Sequence, residues 1–330
     1  MTAGPATATD APARGSVRIR LTPDEAAGVA ALADGLSRIE PRAVDDPGWV
    51  AAARAASCEL PLRLRQTVRA YRNDPGADGL LLVGGLPIAA DALPPTPHVP
   101  ESAEPDATLP AAVAMLIGLQ LGEIVAYRDE KRGSLVQNVV PVRALETSQS
   151  NGGSVSLEFH TENAYHPHRP DYVGLLCLRP AREGVGTTVA SVRRALPLLS
   201  DKDVAVLREP RFETAAPPSF RNADRSPSHP VLTGHPDDPD IRVDFHATRA
   251  LDDEGATALH HLGAALESVH GDPELRPGEM VFLDNRLVVH GRGAFTPRYD
   301  GTDRWLHRVF VHLDNRRNRE RRTGGGAVLT

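Results

Sequence analysis

From residue 154 onward the chain is cut into six short apolar runs: SVSLEFH (154–160), YVGLLCL (172–178), GTTVASV (186–192), IRVDFHA (241–247), GEMVFLDNRLVVH (278–290) and RWLHRVFVHL (304–313). Each has strand length or little more, and glycine- and proline-containing turns separate them. Segments of this kind cannot build a helix bundle. They predict a mainly β fold, a β-sandwich or jelly roll, with flanking helices packed outside it at about 193–207 and 253–270. The punctuation is heavy: 28 Gly and 29 Pro together make 57 of 330 residues, against roughly 12% usual for the pair.

The first third reads differently. Residues 1–16 are small, contain proline and lack periodicity, so a disordered tail is expected. Thr22-Pro23-Asp24-Glu25 has the form of a capping box with proline in the first turn, and helices are predicted over 22–73 with a break near Pro61. GLLLVGGLPI (79–88) reads as a buried strand, Leu93–Pro110 as a lid-like loop and 111–122 as a helix. A hairpin is expected around EKRG (130–133), with LVQNVVPV as its return strand. The β core is placed at about 115–315, the whole of 17–330 is read as a single domain, and the arginine-rich C-terminus is expected to fray.

Charge and cysteine content exclude several classes. Lys and Arg number 37 against 43 Asp and Glu, a net charge of −6, so no basic field calls for nucleic acid. No run approaches the roughly 18 apolar residues of a membrane span. Only Cys58 and Cys177 occur, which rules out a disulfide scaffold or a CxxC zinc site and points to a reducing cytoplasm. The expected partners are therefore small molecules.

The chemistry concentrates in SVSLEFHTENAYHPHRP. His160 and Glu162 stand two apart, and on a strand such residues share a face. An imidazole and a carboxylate so placed can converge on one metal. Two His and one carboxylate is the donor set of non-haem Fe(II) oxygenases. His-x-acid also occurs at His235, His270 and His312, but only His160 ends an apolar run and has a suitable distal partner. The alternative is a satisfied core histidine. His166 precedes Pro167 and His168 lies between Pro167 and Pro170, so the pair reads as a loop over the site mouth rather than a second metal site.

The distal partner is His290, at the end of an apolar run and before Gly291. Arg304 and Arg308 follow within RWLHRVFV. A guanidinium in an apolar strand requires an anion and grips a carboxylate bidentately. A carboxylate-bearing cosubstrate beside the metal satisfies that need; an internal pair with Asp303 is the alternative.

HTENAYHPHRPDYVGLLCLRP, HGRGAFTPRYDGTDRWLHR and their spacing resemble the clavaminate synthase-like Fe(II)/2-oxoglutarate dioxygenases, which include the asparagine oxygenase and arginine hydroxylases of peptide-antibiotic pathways and related free-lysine hydroxylases. The resemblance covers roughly 115–315. It implies a distorted double-stranded β-helix with iron on His160, Glu162 and His290. It implies 2-oxoglutarate on Arg304 and the Thr188 hydroxyl, with O2 as the other cosubstrate. The reaction implied is hydroxylation of an unactivated C–H of a free polar α-amino acid, with a basic side chain favoured and asparagine next. Glu162 leaves no vacant position for halide. For the substrate, the resemblance implies Arg308 on the α-carboxylate and Glu162 beside the amino group, with further contacts from Glu130, Ser150, Asn151 and Asp244. Asp244 also reads as a strand-end turn residue, and His246 stands where the arginine hydroxylases carry a second Asp. Desaturation, cyclisation, a carrier-bound substrate, and a catalytically silent β-barrel binding protein are the other readings.

Overall fold

The computed structural model describes residues 15–217, 220, 225–322, 324 and 326–330. Residues 1–14 of the expected tail lie outside the described residues; Ser16 is tied down, its hydroxyl donating to Asp78 Oδ2 at 2.9 Å.

The N-terminal part comprises β1 (Val17–Arg20), α1 (Pro23–Ser37), α2 (Pro47–Ser57), α3 (Leu62–Asn73), β2 (Leu80–Gly84) and α4 (Leu109–Leu121). α1 starts at the predicted capping box, with the Thr22 N–H donating to Glu25 and the Glu25 N–H donating back to the Thr22 hydroxyl. Pro61 is the N-cap of α3 and separates it from α2. α4 is apolar on every side because α1, α2 and α3 pack around it.

The rest runs β3 (Glu123–Tyr127), β4 (Gln137–Val139), β5 (Leu157–His160), β6 (Tyr172–Arg179), β7 (Thr187–Ser191), α5 (Val192–Ala195), α6 (Asp201–Leu207), β8 (Phe212–Thr214), β9 (Leu232–His235), β10 (Asp238–Ile241), β11 (Thr248–Ala250), α7 (Asp253–Val269), β12 (Met280–Asp284), β13 (Val288–Arg292), β14 (Trp305–His312) and β15 (Val328–Leu329). The major sheet has eight strands in the order β1-β2-β12-β6-β14-β3-β15, with β4 also on β14; the minor sheet is β5-β13-β7. One apolar cluster fills the space between them, with Val125, Leu175 and Leu306 from the major sheet and Phe159, Val189 and Val289 from the minor. A second cluster joins the outer face of the major sheet to the N-terminal helices. This is the flattened double-stranded β-helix with flanking helices. Among the described residues no helix is long and apolar enough to cross a membrane.

Five expectations change. The hairpin at 130–133 is absent: β3 and β4 lie end to end on the same edge of β14, pairing with Phe310–His312 and Leu306–Arg308 respectively. Residues 128–136 are an excursion from one interrupted strand line. Three successive positive-φ residues, Lys131, Arg132 and Gly133, coil the chain there. In 241–247 only Ile241 belongs to a strand, because the Asp244 side chain captures the N–H groups of His246 and Ala247 in a turn. Residues 278–290 form two strands, and the Asn285–Leu287 turn carries the chain from the major to the minor sheet. Leu93–Pro110 is a strap rather than a lid. The Thr96 N–H donates to Gly301 O, the Glu104 N–H donates to Val136 O, and only Glu101 of the segment lines the cavity. The C-terminus does not fray at its end: β15 pairs in parallel with β3, and the Thr330 N–H donates to Arg321 O at 2.8 Å.

Candidate active site

A cavity of about 650 Å³ opens between the two sheets. His160 and His290 face each other across the β5–β13 pair, with ring centroids 4.3 Å apart. β5 ends at His160, so Glu162 is not on a strand as expected. It reaches the same point from a turn, which Asn285 clamps: the Glu162 N–H donates to Asn285 Oδ1 at 2.7 Å, and Asn285 Nδ2 donates to Glu162 O and Pro170 O at 3.1 and 2.8 Å. One ligand atom from each of His160, Glu162 and His290 lies within 4.8 Å of the others.

The donor set fits a divalent iron. His160 Nδ1 is 2.9 Å from the Glu158 carbonyl oxygen. That contact requires Nδ1–H and leaves the Nε2 lone pair for a metal. His290 Nε2 is 3.5 Å from Glu162 Oε2. Burial opposes the charge on Glu162, but Arg308, His290 and His160 outweigh it and hold the carboxyl well below the usual range. Burial and the neighbouring His160 push the His290 imidazole down, toward the neutral form a ligand needs.

The end of the cavity at Arg304 is equally specific. Side chains alternate at β14: Arg304, Leu306 and Arg308 line the cavity, while Trp305 packs into the helix-side core. Arg304 is buried, which lowers its guanidinium to about 10, and among the described residues it has neither a hydrogen bond nor an ion pair. The Asp303 alternative fails, because that carboxylate accepts the N–H groups of Arg298 and Tyr299 at 2.9 and 2.6 Å. Thr188 is not brought into the cavity. It lines a groove on the opposite face of β7, and strand alternation brings Thr187 to the cavity in its place. The expectation missed by one residue because GTTV offers two adjacent threonines and the register decides between them.

At the other end Arg308 is buried among acceptors. It donates to Glu162 Oε1 at 3.0 Å, to Gln137 Oε1 at 3.1 Å and to Glu130 Oε1. Burial opposes its charge, yet Glu130 and Glu162 raise its pKa above the ordinary value. Glu130 also accepts from Asn163 Nδ2 at 3.3 Å. Ser150 and Asn151 line the cavity, and the buried Ser150 hydroxyl has no hydrogen-bond partner among the described residues. Asp244 and His246 line it too. Asp244 Oδ1 takes two backbone N–H groups, and among the described residues no hydrogen bond reaches Oδ2. His166 and His168 lie outside the cavity lining; His166 Nδ1 accepts the His168 N–H at 3.0 Å. Sequence reasoning missed Asn285, Gln137, Asn163 and Thr187, all of which act through backbone register or long-range contact and carry no local motif.

The described site agrees with comparisons to known proteins. Residues 105–310 match the model of the family described as taurine catabolism dioxygenase TauD, TfdA family. The chain belongs to this family. It is 49% identical over 288 residues to the L-asparagine oxygenase of Streptomyces coelicolor, covering 86% of each chain. A solved asparagine oxygenase, in complex with Fe(II), (2S,3S)-3-hydroxyasparagine and succinate, superposes with a TM-score of 0.92 at 46% identity, covering 94% of this chain and 98% of that one. The non-heme iron oxygenase OrfP, solved with Fe and α-ketoglutaric acid, gives a TM-score of 0.86 at 33% identity, covering 96% of this chain and all of the other. The chain is thus a 2-oxoglutarate-dependent dioxygenase that hydroxylates an amino acid, with Fe(II), 2-oxoglutarate and O2 as its cofactor and cosubstrates.

Proposed function

We propose that the chain hydroxylates free L-asparagine at C3. The observation that carries this reading is Asp244, which lines the cavity with one carboxylate oxygen that no hydrogen bond reaches among the described residues, and with His246, not a second acid, beside it. An amide N–H needs one acceptor. A guanidinium or ammonium buried at the same place needs fuller anionic compensation. The relatives that name asparagine as substrate or its hydroxylated product as ligand support the same side chain.

Iron and 2-oxoglutarate, when bound, couple O2 to oxidative decarboxylation, placing one oxygen atom in succinate and the other in a C–H bond of the substrate. His160, Glu162 and His290 would hold the metal. Arg304 would take the distal carboxylate of 2-oxoglutarate, with the Thr187 hydroxyl on the same wall. Glu130 would take the α-ammonium and Arg308 would reach the α-carboxylate with its one uncommitted Nη1–H, while Ser150 and Asn151 would close that end of the cavity. Leu157, Leu175 and Leu306 keep the wall apolar and exclude water. The chain's contribution is orientation: it fixes which carbon faces the metal.

A succinate-release screen across free amino acids, with mass spectrometry for a +16 product, tests the reading. Asparagine should give the highest coupled turnover and a C3-hydroxylated product. Faster coupled turnover of lysine, ornithine or arginine would overturn it.

A further inference from the structure

The excursion that carries Glu130 also carries one of only two lysines in the chain. The other, Lys202, is exposed and pairs with Glu254 at 3.0 Å. Lys131 is 6% exposed and lines the cavity, and among the described residues no hydrogen bond or ion pair reaches its ammonium. Its backbone sits at φ 47°, followed by Arg132 at φ 57°. Side chains with a Cβ adopt this region reluctantly, and strain of this kind concentrates at functional sites. Burial, then Arg308, push the amine down to about 8, while Glu101 and Glu130 pull the other way. A buried ammonium without a partner is costly, so the site is built for an anion.

The protein's nearby carboxylates do not supply that anion. Glu130 is shared between Arg308 and Asn163. Glu101 forms no ion pair with Lys131 among the described residues. Arg308 is itself largely spent: Nε and Nη2 serve Gln137 and Glu130, and Nη1 serves Glu162. Of its five N–H groups, one Nη1–H remains for a ligand, too little to balance an incoming carboxylate.

We propose that the ε-ammonium of Lys131 grips the α-carboxylate of the amino-acid substrate, sharing it with Arg308, while Glu130 receives the α-ammonium. This rests on the reading of the substrate as a free α-amino acid. Two oppositely charged side chains, adjacent in sequence on one coiled excursion, thereby recognise the zwitterionic head, leaving Asp244 to read the side chain. Ligands whose α-carboxylate is masked as an amide or ester are selected against at Lys131.

Steady-state kinetics of Lys131→Met, Lys131→Arg and Lys131→Gly tests the proposal. Lys131→Gly relieves the positive-φ strain and stands in if Lys131→Met does not fold. In Met or Gly, KM for asparagine should rise about 10- to 100-fold, the range set by one lost charge-assisted contact. The KM for 2-oxoglutarate and the visible band formed anaerobically with Fe(II) and 2-oxoglutarate should be unchanged. The preference for asparagine over its α-amide should shrink by a similar factor, and arginine should restore KM to within a few-fold. An unchanged asparagine KM, or an effect confined to 2-oxoglutarate, would overturn the role of Lys131. If wild-type protein forms the band but couples no free amino acid, the substrate reading fails instead.

Discussion

Arg304 and the two adjacent threonines show how much hangs on single side chains. Arg304 is a buried cation facing the cavity with no anionic partner among the described residues, so its substitution should act on cosubstrate binding first. Arg304→Met should raise KM for 2-oxoglutarate at least about 10-fold. Thr187→Val should raise it by a factor of about 2–10, and Thr188→Val should leave it unchanged. Titration of the Fe(II)/2-oxoglutarate band checks all three, and equal effects of the two threonine changes would contradict the register described above. At this scale, residues whose chemistry shows in their type were readable: His160, Glu162, His290, Arg304 and Arg308 all line the cavity. Thr187 was not, because composition cannot tell which of two identical neighbours faces inward. Lys131 carried its signal in rarity, yet the sequence does not show that it is buried.

Elements place these side chains by interruption rather than regularity. β3 and β4 share one edge of β14, and the excursion between them pushes Glu130 and Lys131 into the cavity. The EKRG turn chemistry was visible, but a hairpin and a coil between collinear strands have the same local signature; only pairing with a strand some 170 residues later separates them. The turn after β12 works similarly. Asn285 there makes three hydrogen bonds to the backbones of Glu162 and Pro170. Asn285→Ala should destabilise the fold by about 2–4 kcal/mol, since buried backbone groups lose their partner. It should also weaken Fe(II) binding about 10- to 100-fold, as loss of an outer-shell support does. Thermal unfolding and metal titration measure the two effects; lost stability with intact iron affinity would reduce Asn285 to a packing residue.

Across the whole molecule, both ends of the described chain enter the same sheet, β1 at one edge and β15 at the other. Neither was foreseen, because strands of four and two residues have no periodicity to betray them and their partners are far away in sequence. The folded molecule also buries histidines away from the metal site. Burial pushes His166 and His229 down to about 4 and His307 to about 3. With folded values below the unfolded one, the unfolded chain binds more protons, so their contribution is complete above about pH 6.5 and is lost as pH falls toward 4. Burial raises Glu104 to about 7, which acts in the opposite sense by losing stability as pH rises from about 4.5 to 7. The Glu104 contribution is read by difference: in Glu104→Gln the urea midpoint should drop further, or rise less, between pH 6.5 and 4.5 than in the wild type, and an identical change in the two proteins would contradict the assignment. The turn at Asn285 has a last consequence. One short loop both switches sheets and clamps the backbone of Glu162, so the carboxylate offered to the metal is positioned by the same residues that join the two layers. A substitution that changes the spacing of the two sheets is therefore expected to register as a change in iron affinity.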